Sequence, residues 1–212
     1  MDLISGFFDL ILHLDQHLRD LAQTYGAWVY AVLFLIVFLE TGVVVTPFLP
    51  GDSLLFVAGT IAAAGALNIH ALVLLLIAAA IAGDSLNYAI GRYLGPRVFR
   101  FDDSRFFKRA YVDRTHAFFE RHGGKAIVIA RFVPIVRTYA PFVAGIGAMS
   151  YRRFLMFNVT GAVLWVALLA YAGFFFGNLP LVRNNLTTVI LGIIVLSIMP
   201  GIVEFWRARR AS

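Results

Sequence analysis

Five ionisable residues lie within long apolar stretches of the sequence, where charge is energetically costly. They are two arginines and three carboxylates: Glu40, Asp52, Asp84, Arg131 and Arg137. At the centre of a bilayer each costs about 2.5–3.5 kcal/mol on insertion scales, so such groups are expected to pair, to face a cavity, and to mark the path of a substrate or proton. Structural ion pairing is the alternative interpretation of the whole set.

The two arginines suit a phosphate group. Arg131 and Arg137 flank Pro134, and a helix broken at this proline can turn both side chains toward one cavity. Each guanidinium offers a planar fork of donors and stays charged at any working pH. The sequence therefore predicts that Arg131 and Arg137 bind the phosphate of a substrate.

The carboxylates suit proton transfer. Burial in a low dielectric disfavours the charged form of a carboxyl group, which lets it exchange protons near neutral pH. Glu40 and Asp52 are therefore predicted to couple transport to protons: protonation frees the arginines to hold an anion, and deprotonation displaces it. Asp84 is predicted to have a supporting role, since it can simply pair with one of the two arginines.

Composition predicts the kind of scaffold that holds these residues. Of the 212 residues, 60% are hydrophobic and 14% are charged, whereas soluble domains carry roughly 25% charged residues. This excludes a disordered chain and a secreted disulfide scaffold, and the lack of cysteine excludes a thiolate nucleophile. We expect an all-α integral membrane protein with a single membrane domain over residues 27–206.

Charge placement predicts the topology. The net charge is +6, and basic residues concentrate in the segment 92–125 and in the tail 207–212. Basic residues beside apolar spans mark cytoplasmic loops, so we expect both segments to be cytoplasmic and expect no nucleic-acid binding. Three further ranges have the length and apolar character of transmembrane helices: 69–91, 154–177 and 186–206. Residues 1–26 have the pattern of an amphipathic helix at the membrane surface, with a plain packing helix as the alternative.

Two apolar segments are interrupted and are predicted to form re-entrant hairpins. The first, 27–66, contains Pro47, Pro50 and Gly51, and the second, 126–150, contains Pro134 and Pro141. Both flanks of the second hairpin are predicted on the same side of the membrane, which a single crossing would not allow. Both segments contain the sequence Val-Ala-Gly in their second half, at 57–59 and 143–145, and interrupted segments in corresponding positions are typical of inverted repeats. We therefore predict that the hairpins are related by an inverted repeat.

Four stretches of the sequence resemble signatures of the DedA family of bacterial inner-membrane proteins, which shares its membrane domain with lipid scramblases of the VTT type. In chain order they are Glu40…Pro47-Phe48-Leu49-Pro50-Gly51-Asp52, Gly83-Asp84…Tyr88…Gly91-Arg92, Ala130-Arg131-Phe132-Val133-Pro134…Arg137…Pro141, and Asn158…Gly161…Trp165. The resemblance covers roughly residues 26–177. It implies that Glu40, Asp52, Arg131 and Arg137 fall on the family's functional acidic and basic positions.

The resemblance also implies a function: translocation of undecaprenyl phosphate or a phospholipid across the inner membrane, dependent on the proton motive force. Membrane lipids, protons and the lipid phosphate are the expected partners, and homo-oligomers are compatible with the sequence. The alternatives are a proton-coupled small-ion exchanger, a lipid phosphatase or transferase, and a passive assembly factor. We expect no enzyme, because neither hairpin contains a histidine, and we expect no cofactor. His116, Glu120 and His122 lie close in the sequence, but their spacing favours a solvated helix over a metal site.

Overall fold

The computed structural model describes residues 26–43, 51–98, 123–147, 149–177, 179–183, 188–189 and 191–193. Regular structure in these ranges is helical throughout, which confirms the all-α prediction for them. The helices are α1 (Trp28–Gly42), α2 (Gly51–Ala63), α3 (Ile69–Val98), α4 (Lys125–Ala130), α5 (Pro134–Ile146), α6 (Tyr151–Phe176) and α7 (Pro180–Arg183).

Two of these helices are long and apolar enough to cross a membrane. The spanning stretch of α3 is Ile69–Leu94 and that of α6 is Tyr151–Phe176, close to the predicted spans 69–91 and 154–177. Helix α3 continues to Val98, so the predicted basic segment begins inside a helix. The predicted span ends where basic residues begin, and such residues mark the edge of a membrane rather than the end of a helix.

The other predicted segments fall largely outside the described residues. This applies to the interfacial helix 1–26, to most of the basic segment 92–125, to most of the third span 186–206, and to the tail 207–212. The short pieces 188–189 and 191–193 of the third span are helical. The third crossing therefore stays a prediction.

The break predicted at Pro134 is present, but the helix that begins there continues through Pro141. The break predicted at Pro47 and Pro50 lies outside the described residues. Helices α1 and α2 have 15 and 13 residues and α5 has 13, each shorter than the ~20 residues that span a bilayer. Helix α5 begins at Pro134, and the preceding Val133 has extended backbone with φ −117° and ψ 105°, as proline demands of the residue before it. Whether these segments re-enter the membrane as hairpins stays a prediction.

The chain divides into two compact units. Unit 1 comprises residues 1–36, 48–77 and 164–212, and unit 2 comprises residues 37–47 and 78–163. Helices α1, α3 and α6 each contribute residues to both units. Large apolar side chains of α6 are exposed, for example Met156 at 63% and Leu168 at 60%, as expected of surfaces that face lipid.

In unit 1, helices α2 and α6 meet through their backbones. A Cβ atom added to Gly59 would lie 2.1 Å from the carbonyl oxygen of Ala170, and one added to Gly173 would lie 2.0 Å from that of Phe56. Neither backbone has room for a side chain at these points. The two glycines are therefore what permits the close approach of the helices.

In unit 2, helices α5 and α3 meet in the same way. A Cβ atom on Gly145 would lie 2.2 Å from the carbonyl oxygen of Tyr88, and one on Gly91 would lie 2.1 Å from that of Phe142. The shared Val-Ala-Gly sequence thus extends by one residue, to Phe56-Val57-Ala58-Gly59 and Phe142-Val143-Ala144-Gly145. In both units the phenylalanine carbonyl and the glycine of this sequence make the contact, which indicates an internal repeat of packing.

Candidate functional site

Arg131 lies between α4 and α5 in unit 2 and reaches two other helices. Its Nη2 atom donates to Asp84 Oδ2 on α3 and, at 2.5 Å, to Asn158 Oδ1 on α6. The side chains of Arg131 and Asp84 are only 4% and 7% exposed. Gly161 makes room for the guanidinium, because a Cβ atom there would lie 3.1 Å from Arg131 Nε. Asp84 thus makes the pairing that the sequence analysis allowed for it.

Asn158 completes this cluster. Its Nδ2 atom donates to the backbone carbonyl of Ile81 at 3.2 Å while its oxygen accepts from Arg131. The residue is fully buried, so an amide without these bonds would be costly in this apolar environment. Arg131 is therefore held by a carboxylate and by an amide that is itself fixed to α3.

Arg137 makes a separate ion pair in unit 2. Its Nη2 atom lies 2.5 Å from Glu40 Oε1, and the two side chains are 12% and 4% exposed. Arg137 lies in the first turn of α5, which Pro134 begins, and Glu40 lies in the last turn of α1. The helix ends created by the two interrupted segments thus bring these opposite charges together.

One buried amide joins the two segments that carry this pair. Asn87 on α3 is fully buried, and its Nδ2 atom donates to the backbone carbonyls of Thr41 at 3.2 Å and Thr138 at 2.9 Å. These carbonyls belong to the residues that directly follow Glu40 and Arg137 in the sequence.

Asp52 lies in unit 1, in the first turn of α2, which begins at Gly51. Its Oδ1 atom accepts a hydrogen bond of 2.8 Å from the indole Nε1 of the buried Trp165. The two carboxylates predicted to couple protons therefore belong to different units, with Glu40 in unit 2.

The remaining predicted residues have mixed outcomes. Pro134 is the first residue of α5, and Pro141 is buried inside the same helix. Pro47 and Pro50 lie outside the described residues, as do His116, Glu120 and His122. Three polar contacts were not anticipated from the sequence, those of Asn87, Asn158 and Trp165. The available signal for the first two was an asparagine inside an apolar run, which obeys the same desolvation rule as a charge.

The four charges of the two ion pairs in unit 2 balance one another. Two arginines, Arg131 and Arg137, face two carboxylates, Asp84 and Glu40. Removing one partner of a buried pair leaves an uncompensated charge, at a cost of about 3–5 kcal/mol. An additional anion can therefore enter such a site at low cost only if a carboxylate becomes neutral, which is what uptake of a proton achieves.

Comparison with known proteins gives a consistent result. The VTT domain matches residues 49–175. Protein DedA of Escherichia coli K12 is 59% identical over 214 residues, which cover 100% of this chain and 98% of that protein. An uncharacterised membrane protein of Mycobacterium leprae is 42% identical over 187 residues, covering 88% and 84% of the two chains. The inner membrane protein YqjA of E. coli K12 is 39% identical over 151 residues, covering 71% and 69%.

These similarities show that the chain contains a VTT domain and is a membrane protein. It belongs to the DedA family, as the match of the domain and the identity over the full chain show. No solved structure matches it.

Proposed function

We propose that this protein translocates a phosphate-bearing lipid, either undecaprenyl phosphate or a phospholipid, across the bacterial inner membrane, coupled to protons. The observation that carries the proposal is the ion pair between Arg137 and Glu40, which lies between the ends of two interrupted helices. Ionisable residues within membrane segments generally mark pathways for ions or substrates. The cytoplasmic location of the C-terminus, from the positive-inside pattern, is part of the proposal.

Arg137 is the proposed ligand of the lipid phosphate. In the observed state its guanidinium donates to Glu40, at 2.5 Å. Protonation of Glu40 removes the negative charge that holds the guanidinium, and the two-pronged donor set of Arg137 then binds a phosphate oxygen pair. Deprotonation restores the competitor and releases the lipid. Because the protonation of Glu40 decides whether Arg137 can bind phosphate, movement of the lipid is coupled to movement of protons.

Arg131 has a different part in the proposal. It donates to both Asp84 and Asn158 and is more buried than Arg137, so a phosphate would have to displace both a carboxylate and an amide from it. The contacts favour a structural role for the Arg131–Asp84 pair, with its positive charge adding to the attraction of an anion. Direct phosphate binding by Arg131 stays a prediction.

Asp52 is proposed as a second proton-exchanging group, in unit 1. Its carboxylate accepts a hydrogen bond from the indole of Trp165, and it lies in the first turn of α2, within an interrupted apolar segment. An ionisable group within a membrane segment is a candidate for proton exchange.

The test is translocation of a fluorescent undecaprenyl phosphate, and separately of a fluorescent phospholipid, by purified protein in liposomes with and without an imposed pH gradient. We expect Arg137→Gln to slow translocation about 10- to 100-fold, because a charge-assisted hydrogen bond contributes about 1.5–3 kcal/mol. Glu40→Gln is expected to retain translocation but to lose its dependence on the gradient. Arg152→Gln, at an exposed position on α6, is the matched control and is expected to behave as the wild type.

Other outcomes would point to the alternatives. If Arg137→Gln translocates lipid at the wild-type rate, Arg137 does not bind the headgroup, and if the wild type moves small ions but no lipid, the exchanger is favoured. Mass analysis of the recovered lipid separates transport from catalysis, because a translocase returns its lipid chemically unchanged.

A further inference from the structure

Asn87 belongs to a stripe of three residues on one face of α3. Gly83, Asn87 and Gly91 are spaced four residues apart and therefore share a helix face. At Gly83 the stripe contacts the end of α1: an added Cβ atom would lie 1.9 Å from Thr41 Oγ1 and 2.8 Å from the carbonyl oxygen of Phe38. At Gly91 it contacts α5 through Phe142. Asn87, between the two glycines, contacts both helices.

The two carbonyls that Asn87 engages belong to backbone with reduced helical bonding. Helix α1 ends at Gly42, and the carbonyls of the last four residues of a helix, among them Thr41, have no donor within it. In α5, Pro141 has no N–H group, so the helical bond to the carbonyl of Arg137 cannot form. Thr138, whose carbonyl Asn87 engages, is the next residue along. Asn87 therefore bonds to α1 in its last turn and to α5 beside the position where Pro141 removes a helical bond.

We propose that Asn87 is a positioning residue that holds the backbones of Glu40 and Arg137 at the separation at which Glu40 competes with the substrate for Arg137. The proposal deepens the proposed function and rests on it. Asn87 binds neither the lipid nor the proton. It donates one amide proton to the residue after Glu40 and the other to the residue after Arg137, so it acts only through the distance between these two groups.

This role predicts uncoupling instead of simple loss of activity. Without the amide, Arg137 still offers its guanidinium to a phosphate, but Glu40 is no longer held where it displaces the phosphate. Translocation should then continue while its stimulation by a pH gradient falls. If Asn87 had only a structural role, its loss would lower the amount of folded protein. The translocation rates with and without a pH gradient would then fall together, and their ratio would stay unchanged.

The experiment measures the ratio of translocation rates with and without a pH gradient, in liposomes containing fluorescent undecaprenyl phosphate. Asn87→Asp keeps the size of the side chain but removes both amide donors, and Asn87→Ala removes them without adding a charge. Both are expected to lower the ratio toward one while the rate without a gradient changes by less than about threefold. Asn68→Ala is the control: Asn68 also bonds through its side chain, capping the start of α3 in unit 1, and its loss should leave the ratio unchanged. An unchanged ratio in both Asn87 variants would overturn the proposal.

A second measurement does not depend on transport, and it separates failure of this inference from failure of the proposed function. Thermal unfolding in detergent is followed for Asn87→Ala, Glu40→Gln and the double variant. Residues that act on one interaction have non-additive effects, so we expect the drop in Tm caused by Asn87→Ala to fall by about half or more when Glu40 is already replaced. Additive shifts in Tm would show that Asn87 does not act on the pair, whatever the wild type transports.

Discussion

The two units contain the same kind of backbone contact, between α2 and α6 in unit 1 and between α5 and α3 in unit 2. They differ in the partners of their ionisable residues. In each unit the sequence Phe-Val-Ala-Gly presents a carbonyl to a glycine of the longer helix and receives a carbonyl against its own glycine. Unit 2 also contains two ion pairs, Arg131–Asp84 and Arg137–Glu40. The carboxylate described in unit 1, Asp52, accepts a hydrogen bond from an indole instead.

The difference separates what builds the scaffold from what acts on a ligand. Close approach of helices in a membrane depends on small residues and needs no charge, so the repeated contact fixes the backbone equally well in both units. Ionisable groups add desolvation cost without adding packing. Among the described residues, both buried ion pairs lie in unit 2, and the two pairs differ in how deeply each arginine is buried.

The largest expected effect on stability comes from breaking the more buried pair. Asp84→Ala leaves the guanidinium of Arg131, at 4% exposure, without its carboxylate, and we expect the free energy of unfolding to fall by about 3–5 kcal/mol. Glu40→Ala should lower it by only about 1–3 kcal/mol, because the guanidinium left without its carboxylate is more exposed than that of Arg131, at 12% against 4%. Denaturation in detergent micelles measures both.

This first comparison has a clear contrary outcome. Equal losses for Asp84→Ala and Glu40→Ala would mean that the two pairs are equally structural, which would remove the distinction between a fixed and an exchangeable arginine. Arg153→Ala, at an exposed position on α6, is the control and should change the free energy of unfolding by no more than about 0.5 kcal/mol.

The next largest expected effect concerns the glycine-to-carbonyl contact that occurs once within each unit. Gly173→Ala in unit 1 and Gly91→Ala in unit 2 each place a methyl group about 2 Å from a backbone carbonyl oxygen, which cannot move without displacing a helix. We expect each to lower the free energy of unfolding by about 1–3 kcal/mol, by similar amounts in the two units. Chemical denaturation is again the measurement.

The control for the glycine pair is Gly192→Ala, because a Cβ atom there meets no described atom within 4 Å. A large loss for one glycine and none for the other would show that the repeated sequence does not serve the same purpose in both units. The comparison of the units would then rest on their charges alone.

The sequence predicted the features that follow from local chemistry. Proline and its effect on the preceding residue placed the start of α5 at Pro134, and the cost of charge in apolar sequence selected Glu40, Arg131 and Arg137. Which carboxylate meets which arginine was not predictable. The pairing depends on how α1 and α3 pack against α5, and a six-residue spacing across a broken helix does not determine that geometry.

The internal repeat was also only partly predictable. The shared residues Val-Ala-Gly were visible in the sequence, but their role in packing was not predictable, because a glycine that contacts a neighbouring backbone resembles any other glycine until the neighbour is known. Asn87 and Asn158 were missed for a related reason. Attention to charge selected the ionisable residues, whereas a neutral amide in an apolar helix must also find partners.

The smallest expected effect concerns Asp52 and sharpens the contrast between an indole and a guanidinium as partner. Asp52→Asn keeps an oxygen that accepts from Trp165 Nε1, so the free energy of unfolding should change by no more than about 1 kcal/mol. If Asp52 exchanges protons, the same variant should still weaken the response of lipid translocation to a pH gradient. Trp165→Phe, which removes the donor but keeps the carboxyl group, is the complementary variant. A full gradient response in Asp52→Asn would confine proton coupling to unit 2, where the carboxylates are already paired with arginines.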